Sequence, residues 1–108
     1  MADDITVEIY NITRTIPKEE TYGLTSQLRR AISSVPANIA EGAARSYKKE
    51  YVHFLNIAQG SLAEADYFIH LAKRLNYLDE KPYNEILRKL VELGATLYGL
   101  IKAVKKEV

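Results

Sequence analysis

The sequence predicts an all-α fold, an up-down-up-down four-helix bundle. Three observations carry that expectation. Four segments place apolar side chains at alternating spacings of three and four residues. Turn signals separate them, and no internal repeat or low-complexity linker interrupts them. The links are short, which favours antiparallel neighbours. With 108 residues, 47% of them hydrophobic and 27% charged, the chain is read as a single bundle domain over residues 1–108.

The first predicted helix runs from about Asp4 to Thr15. Ile5, Ile9, Ile12 and Ile16 form its stripe, and Pro17 stops it. The second runs from about Tyr22 to Ala43, with Leu24, Leu28, Ile32, Val35 and Ile39 inward. Pro36 removes a backbone donor and clashes with the carbonyl of Ile32, so the expectation is a kink within one helix. Gly42 is the expected terminator. The third runs from Ser46, read as the N-cap, to about Leu75. Tyr51, Leu55, Ala58, Leu62, Ala65, Ile69 and Ala72 make a bundle seam. A second row, Phe54, Ile57, Phe68, Leu71 and Leu75, lies beside it. One helix of a lone small bundle needs one buried stripe; two rows point to burial against a second subunit as well. The fourth runs from about Glu80 to Glu107, with Asp79 as N-cap and Pro82 in the first turn. Tyr83, Ile86, Leu90, Leu97, Ile101 and Val104 form one row; Leu87, Val91, Gly94 and Tyr98 form another.

Composition narrows the chemistry. The chain has no cysteine, so disulfides, thiolate metal sites and Cys nucleophiles are excluded, and a reducing compartment is compatible; the expected location is cytoplasmic. The acidic start, Met1-Ala2-Asp3-Asp4, is not a signal peptide, and no apolar run is long enough for a membrane span. No HExxH, P-loop or GxSxG motif occurs. Asp66 and His70, four apart on the third helix, share a face as metal ligands would, but the remaining ligands are missing and a surface hydrogen bond is the simpler role. The reading is therefore no catalytic residue, no metal, no cofactor and no small-molecule substrate.

Two other groups stand out. Gln27, Arg30, Ser34, Asn38 and Glu41 form a polar stripe on the second helix, matched by Ser61 and Glu64 on the third. The stripe is either a solvated face or a partly buried network at a subunit boundary, with Arg30 pairing Glu41 or Glu64 across helices. Gly60 in mid-helix points to a close backbone neighbour. The second group is basic. Arg45, Lys48 and Lys49 lie at the turn before the third helix, and Lys102, Lys105 and Lys106 at the end of the fourth. In an up-down-up-down bundle both clusters share one end, and a ring would repeat the patch, which would attract phosphate backbones. The helix dipole alone also favours lysines at a helix C-terminus. Asp3, Asp4 and Glu8 are expected at the same end, blunting its field. The net charge is only +1. Tyr51, Tyr83 and Tyr98 fall on apolar stripes and read as core or interface. Tyr47, beside Lys48 and Lys49, is the candidate for stacking on a base.

The runs Tyr22-Gly23-Leu24-Thr25-Ser26-Gln27-Leu28-Arg29-Arg30-Ala31 and Ser34-Val35-Pro36-Ala37-Asn38-Ile39-Ala40-Glu41-Gly42 resemble the signature of the four-helix proteins encoded in intervening sequences of bacterial 23S ribosomal RNA genes, the S23 ribosomal protein family. The similarity continues through Gly60-Ser61-Leu62-Ala63-Glu64 and Ala72-Lys73-Arg74-Leu75 to Tyr98-Gly99-Leu100-Ile101. It implies a left-handed bundle assembled as a homopentameric ring, without enzymatic activity. It also implies that Gln27, Arg30, Ser34, Asn38, Glu41, Ser61 and Glu64 belong to the family's motif. A related branch, the accessory variability proteins of diversity-generating retroelements, binds nucleic acid and is strongly basic; this chain departs from it in charge. It also lacks tryptophan and has a short first helix, so part of helices three and four is expected to be uncovered. The main reading is a non-enzymatic oligomeric bundle with RNA as the partner its basic end would fit. The alternative is a nucleic-acid-binding accessory protein acting through Arg45, Tyr47, Lys48, Lys49, Lys102, Lys105 and Lys106.

Overall fold

A computed structural model describes all residues, Met1–Val108. It contains four α-helices and no strand: α1 (Ala2–Ile12), α2 (Leu24–Ala43), α3 (Lys48–Arg74) and α4 (Glu80–Lys105). Two short 3₁₀ turns, Thr13–Thr15 and Lys18–Glu20, lie between α1 and α2. The body is elongated, 45 × 25 × 18 Å. No helix is long and apolar enough to cross a membrane.

The helices bury the rows that the periodicity marks. Ile5 and Ile9 of α1, Leu28, Ile32 and Val35 of α2, Leu55, Ala58, Ala65, Ile69 and Ala72 of α3, and Ile86, Leu90 and Leu97 of α4 join one core. Leu93 also belongs to the α4 row, which makes its spacing regular. The second rows are outside the core. Phe54, Phe68 and Leu71 are half-buried, Ile57 and Leu75 exposed, and Val91 is 67% exposed.

Local boundaries differ from the sequence expectation for identifiable reasons. α1 starts two residues earlier, at Ala2, and ends one turn earlier, at Ile12, because Thr13–Thr15 tightens into a 3₁₀ turn that carries Ile16 into the core. Arg29 of α2 holds this turn: its Nε donates to Thr13 Oγ1 at 2.9 Å and its guanidinium to the Tyr10 carbonyl at 3.2 Å. Tyr22 lies before α2 and is almost fully exposed. Ser46 is not the N-cap of α3. Tyr47 takes that position with extended backbone, and its carbonyl accepts the first bonds, from the N–H groups of Glu50 and Tyr51. Asp79 does stand at the start of α4, without a side-chain capping bond. Asn76 ends α3 in the left-handed region, at φ 62°. The Tyr77 N–H then reaches the Ala72 carbonyl and the Asn76 N–H the Lys73 carbonyl, the paired bonds of a Schellman turn.

Gly42 does not terminate α2; the helix continues to Ala43 with no positive φ at any glycine. Its requirement is steric. A Cβ there would stand 2.9 Å from Phe54 Cβ and 3.2 Å from the Tyr51 carbonyl oxygen, so α2 and α3 meet almost backbone to backbone. Gly60 has no such neighbour: a Cβ would meet nothing within 4 Å in the chain. Polar contacts tie the ends. Tyr77 Oη donates to Glu20 at 3.1 Å, Lys89 meets Glu8 at 2.7 Å, and Lys48 meets Glu107 at 3.8 Å. The bond to Glu20 is the main cause of a raised Tyr77 pKa; partial burial and the charges of Glu20 and Glu19 add to it.

Gly42→Ala is expected to lose about 1–3 kcal/mol of stability through overpacking, whereas Gly60→Ala gains about 0.5–1 kcal/mol from helix propensity. Urea unfolding of both variants measures the contrast. A second expectation concerns Tyr77. Because its pKa is raised above 10.0 in the folded chain, its bond stabilises the fold fully below that value and is lost as pH rises through the raised one. Tyr77→Phe therefore lowers the melting temperature at neutral pH, and the difference from wild type closes in strong alkali.

Candidate functional site

The polar stripe divides into a bonded centre and an open rim. Ser34 of α2 meets Ser61 of α3 across the helix pair. Asn38 Nδ2 donates to Ser34 Oγ and to the Ser34 carbonyl, both at 2.8 Å. Ser61 Oγ donates to Ser34 Oγ across the helix pair at 3.0 Å. These three residues are half-buried. Gln27, Arg30, Glu41 and Glu64 are exposed. Gln27, Arg30, Ser34, Ser61 and Glu64 surround a small recess of about 190 Å³. Arg30 pairs with neither Glu41 nor Glu64 within the chain. Glu41 instead meets Arg45, one helical turn away, and lies eleven residues from Arg30, about 16 Å along the same helix.

The basic residues gather at one end. The Lys48–Glu107 contact places the start of α3 beside the end of α4, and Arg45 joins α2 to this end by meeting Glu41 and Glu50. Six cations, Arg45, Lys48, Lys49, Lys102, Lys105 and Lys106, face three carboxylates, Glu41, Glu50 and Glu107, so the end carries +3 while the chain carries +1. Lys49, Lys102, Lys105 and Lys106 have no carboxylate partner in the chain.

The acids expected to blunt this field are elsewhere. Thr6 of α1 lies 3.4 Å from the Ile32 carbonyl, eleven residues before α2 ends. Asp3 and Asp4, less than a turn from Thr6, stop about two helical turns short of the basic end. Glu8 is engaged by Lys89 on α4. The short α1 is the cause: it spans only the half of the bundle that holds the start of α2.

Aromatic rings flank the cations. Tyr47 is 70% exposed. Tyr98, placed on an apolar stripe by its spacing, is in fact 57% exposed, with Lys102 Nζ 5.7 Å from its ring centre. Arg45 stands 4.8 Å over Phe54. The four-residue spacing of Tyr98 and Lys102 was a usable sequence signal; the Arg45–Phe54 pair crosses a turn and had none. Asp66 and His70 are both exposed, and no three metal-ligating side chains cluster.

The chain matches the family model described as 23S rRNA-intervening sequence protein over residues 1–99. No curated protein matches it. A solved structure from Bacteroides thetaiotaomicron, a protein of unknown function from the S23 ribosomal protein family, is similar in fold, with 24% sequence identity, 94% of each chain covered and a TM-score of 0.86. With that match over nearly its whole length, the chain belongs to the family of 23S rRNA-intervening sequence proteins.

Proposed function

We propose that this protein is a non-catalytic four-helix bundle, one domain over residues 1–108, that works as a homo-oligomer of five copies. The observation that carries the assembly is apolar exposure along one flank of α3. Ile57 and Leu75 are uncovered beside half-buried Phe68 and Leu71. A soluble monomer rarely leaves such rows facing water. The recess around Arg30 and Glu64 adds polar groups that a neighbour can pair, which would fix the register of the contact. The number five and a left-handed bundle rest on the family resemblance. An up-down-up-down order draws support from the Lys48–Glu107 and Thr6–Ile32 contacts. A kink at Pro36 rests on the donor that proline lacks; α2 itself is continuous through it. A cytoplasmic location rests on the sequence alone.

Native mass spectrometry at micromolar concentration is expected to give a pentamer; a monomer overturns the assembly. Ile57→Glu is expected to dissociate it while changing the chain's own stability by only about 0.5 kcal/mol, since the position is exposed within the chain.

A second reading, RNA binding through the basic end, is favoured by one observation: four lysines there lack carboxylate partners. A nucleic-acid-binding accessory role, like that of the accessory variability proteins, would use the same end. Binding to RNA should fall steeply as salt rises, and the combined change of Lys48, Lys49, Lys105 and Lys106 to Glu should abolish it. Absence of binding in low salt removes this reading.

A further inference from the structure

We propose that the basic end is built for single-stranded nucleic acid, with Tyr98 and Tyr47 as the surfaces on which bases stack. This rests on the reading of that end as a nucleic-acid contact and names the form of the ligand.

The argument starts from Tyr98. A tyrosine exposed to 57% on a helix of a small bundle leaves most of a ring face in water. Its hydroxyl makes no hydrogen bond in the chain, and the Lys102 ammonium is its one polar neighbour. Lys102, one turn on, stands over the ring, and Lys105 follows three residues later. The row Tyr98, Lys102, Lys105 therefore joins one stacking face to two cations over about 10 Å of helix. Neither lysine meets a carboxylate.

A second part lies on α3. A shallow groove of about 560 Å³ runs over its first turns, lined by Arg45, Lys49, His53, Asn56 and the ring of Phe54, with Glu50 as its one acid. Phe54 lies on the α2 side of α3, against Gly42. The Arg45–Phe54 couple is therefore part of the groove's own lining, and the Lys102–Tyr98 couple is a separate element of the same end, on α4. Tyr47, 70% exposed, opens α3 immediately before Lys48 and Lys49.

The combination selects the ligand. Cations alone attract any polyanion, and a duplex, with the higher charge density, is held at least as well as a single strand. Exposed rings add nothing toward a duplex, whose bases are stacked on each other. Toward a single strand they offer each free base a partner, and stacking is tolerant of sequence because every base has a face. An acidic peptide would satisfy the lysines but leave both tyrosine rings unused. RNA and DNA single strands share the chemistry that the rings and cations recognise.

The test uses the full-length protein and fluorescence anisotropy with an RNA of about a dozen nucleotides, the same RNA annealed to its complement, and a DNA strand of the same sequence. The expected result is single-strand binding at least tenfold tighter than duplex binding. Tyr47→Leu with Tyr98→Leu should weaken single-strand binding about tenfold or more and leave duplex binding unchanged. Tyr98→Phe, which keeps the ring, should bind as wild type does. Lys102→Gln with Lys105→Gln should weaken both forms and flatten the salt dependence. Equal RNA and DNA affinity supports recognition by stacking and charge; a preference for RNA adds the 2′-hydroxyl to it. Equal binding of single strand and duplex, untouched by the tyrosine changes, overturns the stacking proposal and leaves the basic-end reading standing. No binding of any probe in low salt overturns both.

Discussion

The structure depends on the close approach of α2 and α3. Gly42 lets the two backbones meet where a single added carbon would collide with Phe54 and Tyr51. Farther along, Ser34 and Ser61 meet across the same seam, and alanines at 31, 58 and 65 keep the buried residues there small. Helices that approach this closely draw backbone-proximal polar atoms out of water. Those atoms need partners, because an unpaired buried donor or acceptor costs about 1–3 kcal/mol. The chain Asn38 to Ser34, and Ser61 to Ser34, supplies them, and no buried side-chain polar atom is left without a partner. The pair then presents a continuous apolar groove on its other side. α4 fills it with Ile86, Leu90, Leu93 and Leu97, and α1 closes the part it can reach with Ile5 and Ile9.

The length of α1 sets the electrostatics of the whole molecule. A helix of eleven residues cannot run the length of α2 or α3. Its acids therefore stop partway, and Glu8 is taken up by Lys89. The far end keeps an excess of positive charge that the nearly neutral total conceals. The carboxylates that remain there are engaged by Arg45 and Lys48, which leaves lysines on α3 and α4 free to face a ligand. Exposed ion pairs of this kind add little stability, about 0–1 kcal/mol each. Their consequence is the shape of the field. In a ring of copies that field would repeat around an axis, and weak contacts would add up over a long polyanion.

Much of the fold was legible in the residues. The seam of α3 appeared as a three-four alternation and is buried from Leu55 to Ala72, with Tyr51 half-buried at its start. The links were short enough to require neighbouring helices, and the pairs Thr6–Ile32 and Lys48–Glu107 show which residues meet. Other features were misread because their causes are not local. Gly42 resembled a helix terminator, yet its reason is a side chain twelve residues away on another helix. Gly60 resembled a packing glycine, yet it faces open space within the chain. Ser46 has the chemistry of an N-cap, but the turn leaving α2 brings the extended backbone to Tyr47 instead.

By itself the sequence determined the helical class, the four segments and the identity of the inward rows, because periodicity is a property of consecutive residues and survives any tertiary arrangement. It also determined the family, through the residues from Tyr22 to Gly42. Only the tertiary structure decided which polar groups meet and which stay open. Within the chain Arg30 meets no acid, Glu41 belongs to Arg45, and Tyr98, which its spacing left as core or interface, lies outside the core. Those outcomes depend on how far each helix reaches and on how its faces are rotated against its neighbours, distances that no spacing along one chain encodes.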